Sequence, residues 1–237
     1  MGSPTRFKNG VTNVSAIDPF NQYGLPSPLL WHTYFNDFDT YTAAEWTVTD
    51  VGAGNTQALA DGNGGLLLIT NDANDNDRSE SQKVGESFLL TAGKKALFKA
   101  KFQVSDATQS DFVIGLCVTD TTLMGAVDGA GVTDGIFFSK DDGDALLDVQ
   151  CQNNATTGQT RAAGIHTMVD ATDVTVSLAY DGIDRLVYYV DDVELGALDA
   201  SSTYLPDTEL TVTFALMNGA AAAKTMTLDY IFAAQER

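Results

Sequence analysis

The feature that most constrains the fold is a repeated alternation of apolar and polar residues that begins just after Lys95. In the first alternating segment every second residue is apolar, namely Phe98, Ala100, Phe102 and Val104. Similar segments lie at residues 174–180, 210–216 and 226–232. Because a period of two places successive side chains on opposite faces, each segment predicts an antiparallel strand with one buried and one solvated face. In the last segment the buried face is expected to carry Met226, Leu228, Tyr230 and Phe232.

Continuous apolar runs indicate a second kind of strand. They occupy residues 66–69, 112–118, 136–138 and 145–149, and Gly, Asn or Asp bounds them. Such short runs favour central strands that line a sandwich interior over buried helices. Asp191 and Asp192 separate two further apolar segments and predict a tight hairpin, because aspartate tolerates the left-handed backbone of two-residue turns. No amphipathic stretch reaches helical length, so we expect an all-β chain with roughly a dozen strands in a two-sheet antiparallel jelly-roll sandwich.

The first 33 residues differ from the rest of the chain. They hold four of the five prolines and a net charge of +1, whereas residues 34–237 carry −20, from 11 Lys and Arg against 31 Asp and Glu. Their apolar residues follow neither a helical nor a strand period, so the segment cannot bury one clean face against its own chain. We therefore predict an extended N-terminal arm over residues 1–33, which needs another surface, and one β-sandwich jelly-roll domain over residues 34–237.

A formal net charge of −19 narrows the choice of partners. Because this charge repels nucleic acid backbones and anionic lipid, and no basic stripe offsets it, we expect binding neither to nucleic acid nor to a membrane. No apolar run approaches the roughly 20 residues of a membrane span and no secretory leader opens the chain, so synthesis in a cytosol is expected. Cys117 and Cys151 lie in apolar runs and are expected to be buried thiols rather than a disulfide.

The order of landmarks along residues 34–237 resembles the concanavalin A-like lectin/glucanase jelly roll. The landmarks are an aromatic opening at residues 34–39 followed by Trp46, a late strand and hairpin at residues 175–195, and a final strand at residues 228–231. The resemblance implies the fold. It does not fix the function, because one fold hosts many functions.

The opening residues 5–14 resemble the N-termini of tailed-bacteriophage virion proteins, particularly head decoration (cement) proteins. This resemblance implies a structural protein on the outer capsid surface of a virion, made in the host cytoplasm, whose arm docks on the major capsid protein. The residues expected to dock are Arg6, Phe7, Lys8, Asn9, Val11 and Val14. A homo-oligomer on the capsid is also expected, because decoration proteins commonly sit on symmetry axes.

Enzymatic activity is not expected. Glucanases of the resembled fold carry carboxylates on one strand in a pattern close to Glu-x-Asp-x-x-Glu, because retaining cleavage needs an acid and a nucleophile about 5 Å apart. The chain lacks this pattern, and its nearest candidates, Asp144 and Asp148, are better explained as solvated acidic strand ends. His32 and His166 are the only histidines, so neither a histidine-rich metal site nor a Ser-His-Asp relay can be composed. No metal site or cofactor is predicted.

The alternative function is carbohydrate binding, free or on a phage particle, with a glycan as partner and a calcium-assisted loop. Residues 71–77 alternate carboxylate and amide side chains that can wrap Ca²⁺, but they lack the central Gly and terminal Glu of an EF-hand loop, so a plain acidic loop is favoured. A second acidic cluster, at residues 141–144, has the same weakness. Aromatic residues near the end of the arm could stack on sugars, although a packing role is favoured. They are Trp31, Tyr34, Phe35, Phe38, Tyr41 and Trp46.

Overall fold

The computed structural model describes residues 28–125, 131–154 and 158–237. Apart from one short 3₁₀ turn at Ala43–Glu45, the regular structure of these residues is fifteen β-strands. In chain order they are β1 Trp31–Asn36, β2 Trp46–Val51, β3 Thr56–Ala60, β4 Leu66–Thr70, β5 Arg78–Lys83, β6 Ala96–Val104, β7 Ser110–Cys117, β8 Gly135–Lys140, β9 Leu146–Asn153, β10 Gly158–Thr167, β11 Val174–Tyr180, β12 Arg185–Val190, β13 Val193–Asp199, β14 Thr211–Asn218 and β15 Thr225–Glu236. Within the described residues, no helix is long and apolar enough to cross a membrane.

The strands form two antiparallel sheets packed face to face, as the sequence predicted. Sheet A has eight strands in the order β13-β12-β11-β6-β15-β4-β3, and β1 pairs with β15 as well. Sheet B has seven strands in the order β10-β9-β8-β7-β14-β5-β2. Both sheets combine consecutive strands with pairs that are far apart in sequence, such as β6 with β15 and β7 with β14, as in a jelly roll. Because β1 begins at Trp31, the last three residues of the expected arm belong to the sandwich.

The core lies between the two sheets and is built by the predicted alternation. The alternating apolar residues of β6, β11 and β14 are buried in this core. Every second residue of the continuous apolar runs in β4, β7, β8 and β9 is buried there too. Cys117 and Cys151 are buried free thiols, which confirms their prediction. The hairpin prediction is also confirmed, since Asp191 and Asp192 adopt φ values of 49° and 63° between β12 and β13.

One part of the alternation was predicted wrongly. Met226 and Leu228 face the core, but a β-bulge between Leu228 and Tyr230 adds one residue to β15. Because a shift of one residue exchanges the two faces of a strand, Ile231 and its alternates are buried while Tyr230 and Phe232 lie half-exposed on the outer face of sheet A. The outer face of this sheet therefore carries aromatic side chains that the sequence pattern placed in the core.

Candidate functional site

The outer face of sheet B is lined by polar side chains that are nevertheless buried. They come from β9, β8 and β7, which are neighbours, and from β5, which β14 separates from β7. They are Glu80, Gln82, Asp111, Ser139, Asp148, Gln150 and Gln152. Strand pairing places Asp148, Ser139, Val113, Ala215 and Glu80 in one row across the sheet. The row has polar side chains at both ends and the apolar Val113 and Ala215 in the middle, so what covers this face decides what it can bind.

The chain itself covers the middle of this face. The connection between β7 and β8, residues 118–134, here called the cover loop, is described at residues 118–125 and 131–134. Three of its apolar side chains, Leu123, Met124 and Val132, form a cluster on the sheet. Their partners in that cluster are Val113, Cys117, Phe137, Ala215 and Met217. The apolar runs in β7 and β8 are continuous because both faces of these strands are covered.

Hydrogen bonds to the sheet hold the first part of the cover loop, residues 118–124. Glu80 accepts the backbone N–H groups of Leu123 and Met124 at 3.3 and 3.0 Å. Gln82 donates to the carbonyl of Val118 at 2.9 Å and accepts the N–H of Asp120 at 2.9 Å. Burial raises the pKa of Glu80 against the opposing effects of these N–H groups and of Arg78. A ligand could reach the centre of the face only by displacing this loop.

Three carboxyl groups converge beside the covered region. Asp111 is the second residue of β7, and Asp141 and Asp142 directly follow β8, which pairs with β7. One carboxylate oxygen from each lies within 4.8 Å of the others. Asp111 is only 3% exposed, and its Oδ1 is buried without a hydrogen-bond partner. Burial, reinforced by Asp142 and Asp141, raises the pKa of Asp111 to about 7.

A buried lysine lies behind the three carboxyl groups. Lys140 is fully buried and donates from Nζ to the carbonyl oxygen of Asp141 at 2.5 Å. Burial lowers its pKa, while the surrounding Asp111, Asp144, Asp142 and Asp141 act in the opposite direction. One ammonium group therefore offsets only part of the negative charge gathered at this end of the sheet.

Backbone contacts fix the loops that carry the cluster. Gly143 donates its N–H to the carbonyl of Thr108, and Gly219 donates to that of Gln109, each at 2.9 Å. Gly219 lies so close to Asp142 that a Cβ there would collide with the Asp142 side chain. The cluster is thus positioned by the ends of three adjacent strands, β8, β7 and β14. Asp141 and Asp142 belong to the acidic run that is a weak cation-site candidate in the sequence, whereas Asp111 gives no such signal beyond its place at the edge of an apolar run.

The loop at residues 71–77, for which the sequence favours a plain acidic loop over a calcium site, forms hydrogen bonds within itself and with its neighbours. Asp77 accepts hydrogen bonds from the backbone and side-chain nitrogens of Asn74, at 3.0 and 2.9 Å. Asn218 donates to the carbonyl oxygens of Asp72 and Asn74, and Asn71 donates to that of Asp77. Several of the oxygens that could bind a cation therefore already accept hydrogen bonds, in agreement with the plain acidic loop.

The remaining candidates are engaged separately. Asp148 forms an ion pair with Arg161 and accepts the N–H of Gly164, whereas Asp144 accepts the N–H of Leu146. His166 lies in β10 next to Met168 and Asp173, in the lining of a shallow cavity.

The aromatic residues near the arm pack mainly as predicted. Trp31, Phe38 and Trp46 are buried, and Tyr34 and Tyr41 pack against the core. Phe35 is the exception, because it is 60% exposed on the outer face of sheet A. The six residues expected to dock on a capsid, in residues 6–14, lie outside the described part of the chain, so capsid docking stays a prediction.

Comparison with solved structures shows the fold. An endo-1,3-β-glucanase from Streptomyces sioyaensis superposes with a TM-score of 0.62 at 15% identity, covering 90% of this chain and 99% of the glucanase. Peanut lectin gives 0.57 at 12% identity, covering 86% and 97%. The carbohydrate recognition domain of Emp46p, in a potassium-bound form, gives 0.55 at 12% identity, covering 84% and 94%. The chain therefore has the concanavalin A-like jelly-roll fold. No protein-family model and no curated protein sequence matches the chain.

Proposed function

We propose that this protein is a carbohydrate-binding module whose site is the cluster of Asp111, Asp141 and Asp142, with a bound calcium ion. The observation that carries the proposal is the convergence of three carboxylate oxygens, one of them on a buried side chain with an unpartnered atom. The fold adds support, because a lectin and a carbohydrate recognition domain are among the proteins to which the chain is similar. The capsid-decoration hypothesis has no comparable support in the fold.

The cluster fits a hard cation. Oxygen ligands lie about 2.3–2.6 Å from Ca²⁺, so two ligands on opposite sides of the ion are roughly 4.6–5.2 Å apart. The three carboxylate oxygens, all within 4.8 Å of one another, can therefore belong to one coordination sphere. A bound cation would also favour the ionised form of Asp111, whose burial otherwise favours the neutral form.

The two accessible carboxylates give the site its role in binding. Asp142 is exposed and Asp141 half-exposed, so both can accept hydrogen bonds from the hydroxyl groups of a sugar. Asp111 is buried, so its role is to bind the cation. Its carboxylate also accepts a hydrogen bond from the backbone N–H of Asp142. A bound calcium ion supplies positive charge that polarises sugar hydroxyls and neutralises the carboxylates.

We propose binding rather than hydrolysis. Retaining glycosidases also use carboxyl groups about 5 Å apart, but both must reach the scissile bond from an open cleft. Asp111 is nearly inaccessible to a substrate. Glu80, the carboxyl group of β5, accepts hydrogen bonds from the backbone of the cover loop. Incubation with β-glucans should release no reducing ends.

The test is a glycan array probed with the full chain in calcium and again in EDTA. We expect a set of glycans that the chain binds in calcium and no longer binds in EDTA, and for these glycans Asp142→Asn should weaken binding at least tenfold. Asp75→Asn is the matched control, because Asp75 is an exposed acid in the loop at residues 71–77. If no glycan shows binding that is lost in EDTA and weakened by Asp142→Asn, the proposal is contradicted.

Display on a virion is a separate proposal that rests on the resemblance of residues 5–14 to phage virion proteins. Deleting residues 1–30 should leave a folded sandwich that no longer binds capsids. If the truncated protein saturates undecorated heads with unchanged affinity, the arm has no docking role.

A further inference from the structure

A polar cleft lies on the outer face of sheet A, whereas the carboxylate cluster lies at strand ends of sheet B. Strand β15 pairs with β4 up to Leu228 and with β1 from Ile231 onward, so its bulged residues lie where the partner strand changes. The cleft at this place has a volume of about 340 Å³. It is lined by Asn63, Leu66, Lys101, Gln103, Asp173, Thr227 and Asp229.

The charged groups in the cleft pair with one another. Nζ of Lys101 lies 3.0 Å from Asp173 and 2.7 Å from Asp229. Two carboxylates against one ammonium group leave the lining with one net negative charge, which repels an anionic ligand. The cleft therefore favours an uncharged ligand over an acidic one.

The cleft also offers polar side chains with bonding capacity to spare. The side chains of Gln103, Thr227 and Asn63 make no hydrogen bond to the described residues. An amide can donate two hydrogen bonds and accept two, and a hydroxyl can donate one and accept two. Donors and acceptors mixed in this way match the hydroxyl groups of a sugar, each of which does both.

An aromatic surface adjoins the cleft. Tyr230 is paired with Lys101 across β15 and β6, and its ring centroid is 6.4 Å from that of Phe35. Phe35 is 60% exposed and Tyr230 is half-exposed, so both rings are accessible. Small-molecule sites combine aromatic walls with a few placed polar groups, and the apolar face of a sugar ring can pack on such a wall.

We infer that this cleft, together with Phe35 and Tyr230, is a second saccharide-binding site, specific for a neutral sugar unit and independent of calcium. The inference goes beyond the proposed function, because the two sites lie on different sheets and share no residue. A chain with both sites binds glycan on two faces, which lets one molecule join two glycan chains.

The experiment measures binding of the full chain to immobilised neutral oligosaccharides of glucose, mannose and galactose. EDTA is present, so that the cation site holds no calcium and does not contribute to binding. We expect binding that persists in EDTA and in Asp142→Asn. Gln103→Leu and Phe35→Ala should each weaken this binding at least tenfold. Ile183→Ala is the matched control for loss of an exposed apolar side chain, because Ile183 is 72% exposed on a loop away from the cleft.

The outcomes separate the two sites. Absence of EDTA-resistant binding to every oligosaccharide overturns the second site, as does resistant binding that is unchanged in both Gln103→Leu and Phe35→Ala. Loss of only the calcium-dependent part of the binding in Asp142→Asn, with the EDTA-resistant part unchanged, is the result expected for two separate sites. Thermal unfolding of each variant, compared with the unsubstituted chain, shows that a lost signal is not lost folding.

Discussion

Phe137 provides the sharpest test of the cover loop. Phe137 and Phe138 are adjacent in β8 and both fully buried, but Phe138 belongs to the core between the sheets and Phe137 to the cluster beneath the cover loop. Truncating a buried phenylalanine to alanine costs about 3–5 kcal/mol, and the lower end applies where the surroundings can collapse into the space. A loop can collapse more readily than a sheet, so we expect about 3 kcal/mol for Phe137→Ala.

This cost should be measured by urea unfolding, with Phe138→Ala as the matched control. In a chain of this size each 1 kcal/mol shifts the melting temperature by about 2–4 °C, so Phe137→Ala should lower it by roughly 6–12 °C. Without the cover loop, Phe137 would be a surface residue, and surface substitutions usually change stability by less than about 0.5 kcal/mol. A loss below about 1 kcal/mol for Phe137→Ala, with a full core penalty for Phe138→Ala, would refute the covered face.

Three further predictions concern other parts of the chain. Because folding raises the pKa of Glu80, the stability that this residue contributes is present below its ordinary pKa and is lost as the pH rises through its pKa in the folded protein. Glu80→Gln should therefore destabilise the protein less at pH 8 than at pH 5. Urea unfolding that showed the opposite order would be inconsistent with the raised pKa. Asp192→Val should cost about 1–2 kcal/mol in thermal unfolding, because a β-branched residue is strained at φ 63°, whereas Asp192→Gly should cost less. Burial raises the pKa of both cysteine thiols, and it raises that of Cys151 to about 12. Neither Cys117 nor Cys151 should therefore react with a thiol reagent at pH 8 until the chain unfolds. Fast labelling of the native protein would show that one of the two thiols is accessible.

The strands could be predicted because burial of one face of a strand produces an alternating pattern of apolar and polar residues in the sequence. A residue such as Phe98 or Phe102 is apolar because of the core beneath it, and the alternation follows from strand geometry alone. The left-handed turn of Asp191 and Asp192 is equally local. These features need only neighbours in the chain, which a single sequence contains.

The bulge in β15, the carboxylate cluster and the cleft beside Phe35 depend on strand pairings between distant parts of the chain, which no local sequence pattern indicates. At Asp229 the strand gains one residue, and the apolar residues on both sides of it fit either register. Asp111 is about thirty residues from Asp141 in sequence, and only the pairing of β7 with β8 brings them together. The cover loop has no periodicity, so the continuous apolar runs predicted central strands without showing what covers their outer face.

The covered face limits the kind of ligand that the protein can bind. A long polysaccharide groove would need an open row across sheet B, but the row from Asp148 to Glu80 passes beneath the cover loop. Access is left at the strand ends that carry Asp142 and, on the other sheet, at the cleft beside Phe35. Each of these is a local site with few ligand-binding groups. Affinity for oligosaccharides should therefore stop rising after the first few sugar units, whereas a groove would gain affinity with each added unit.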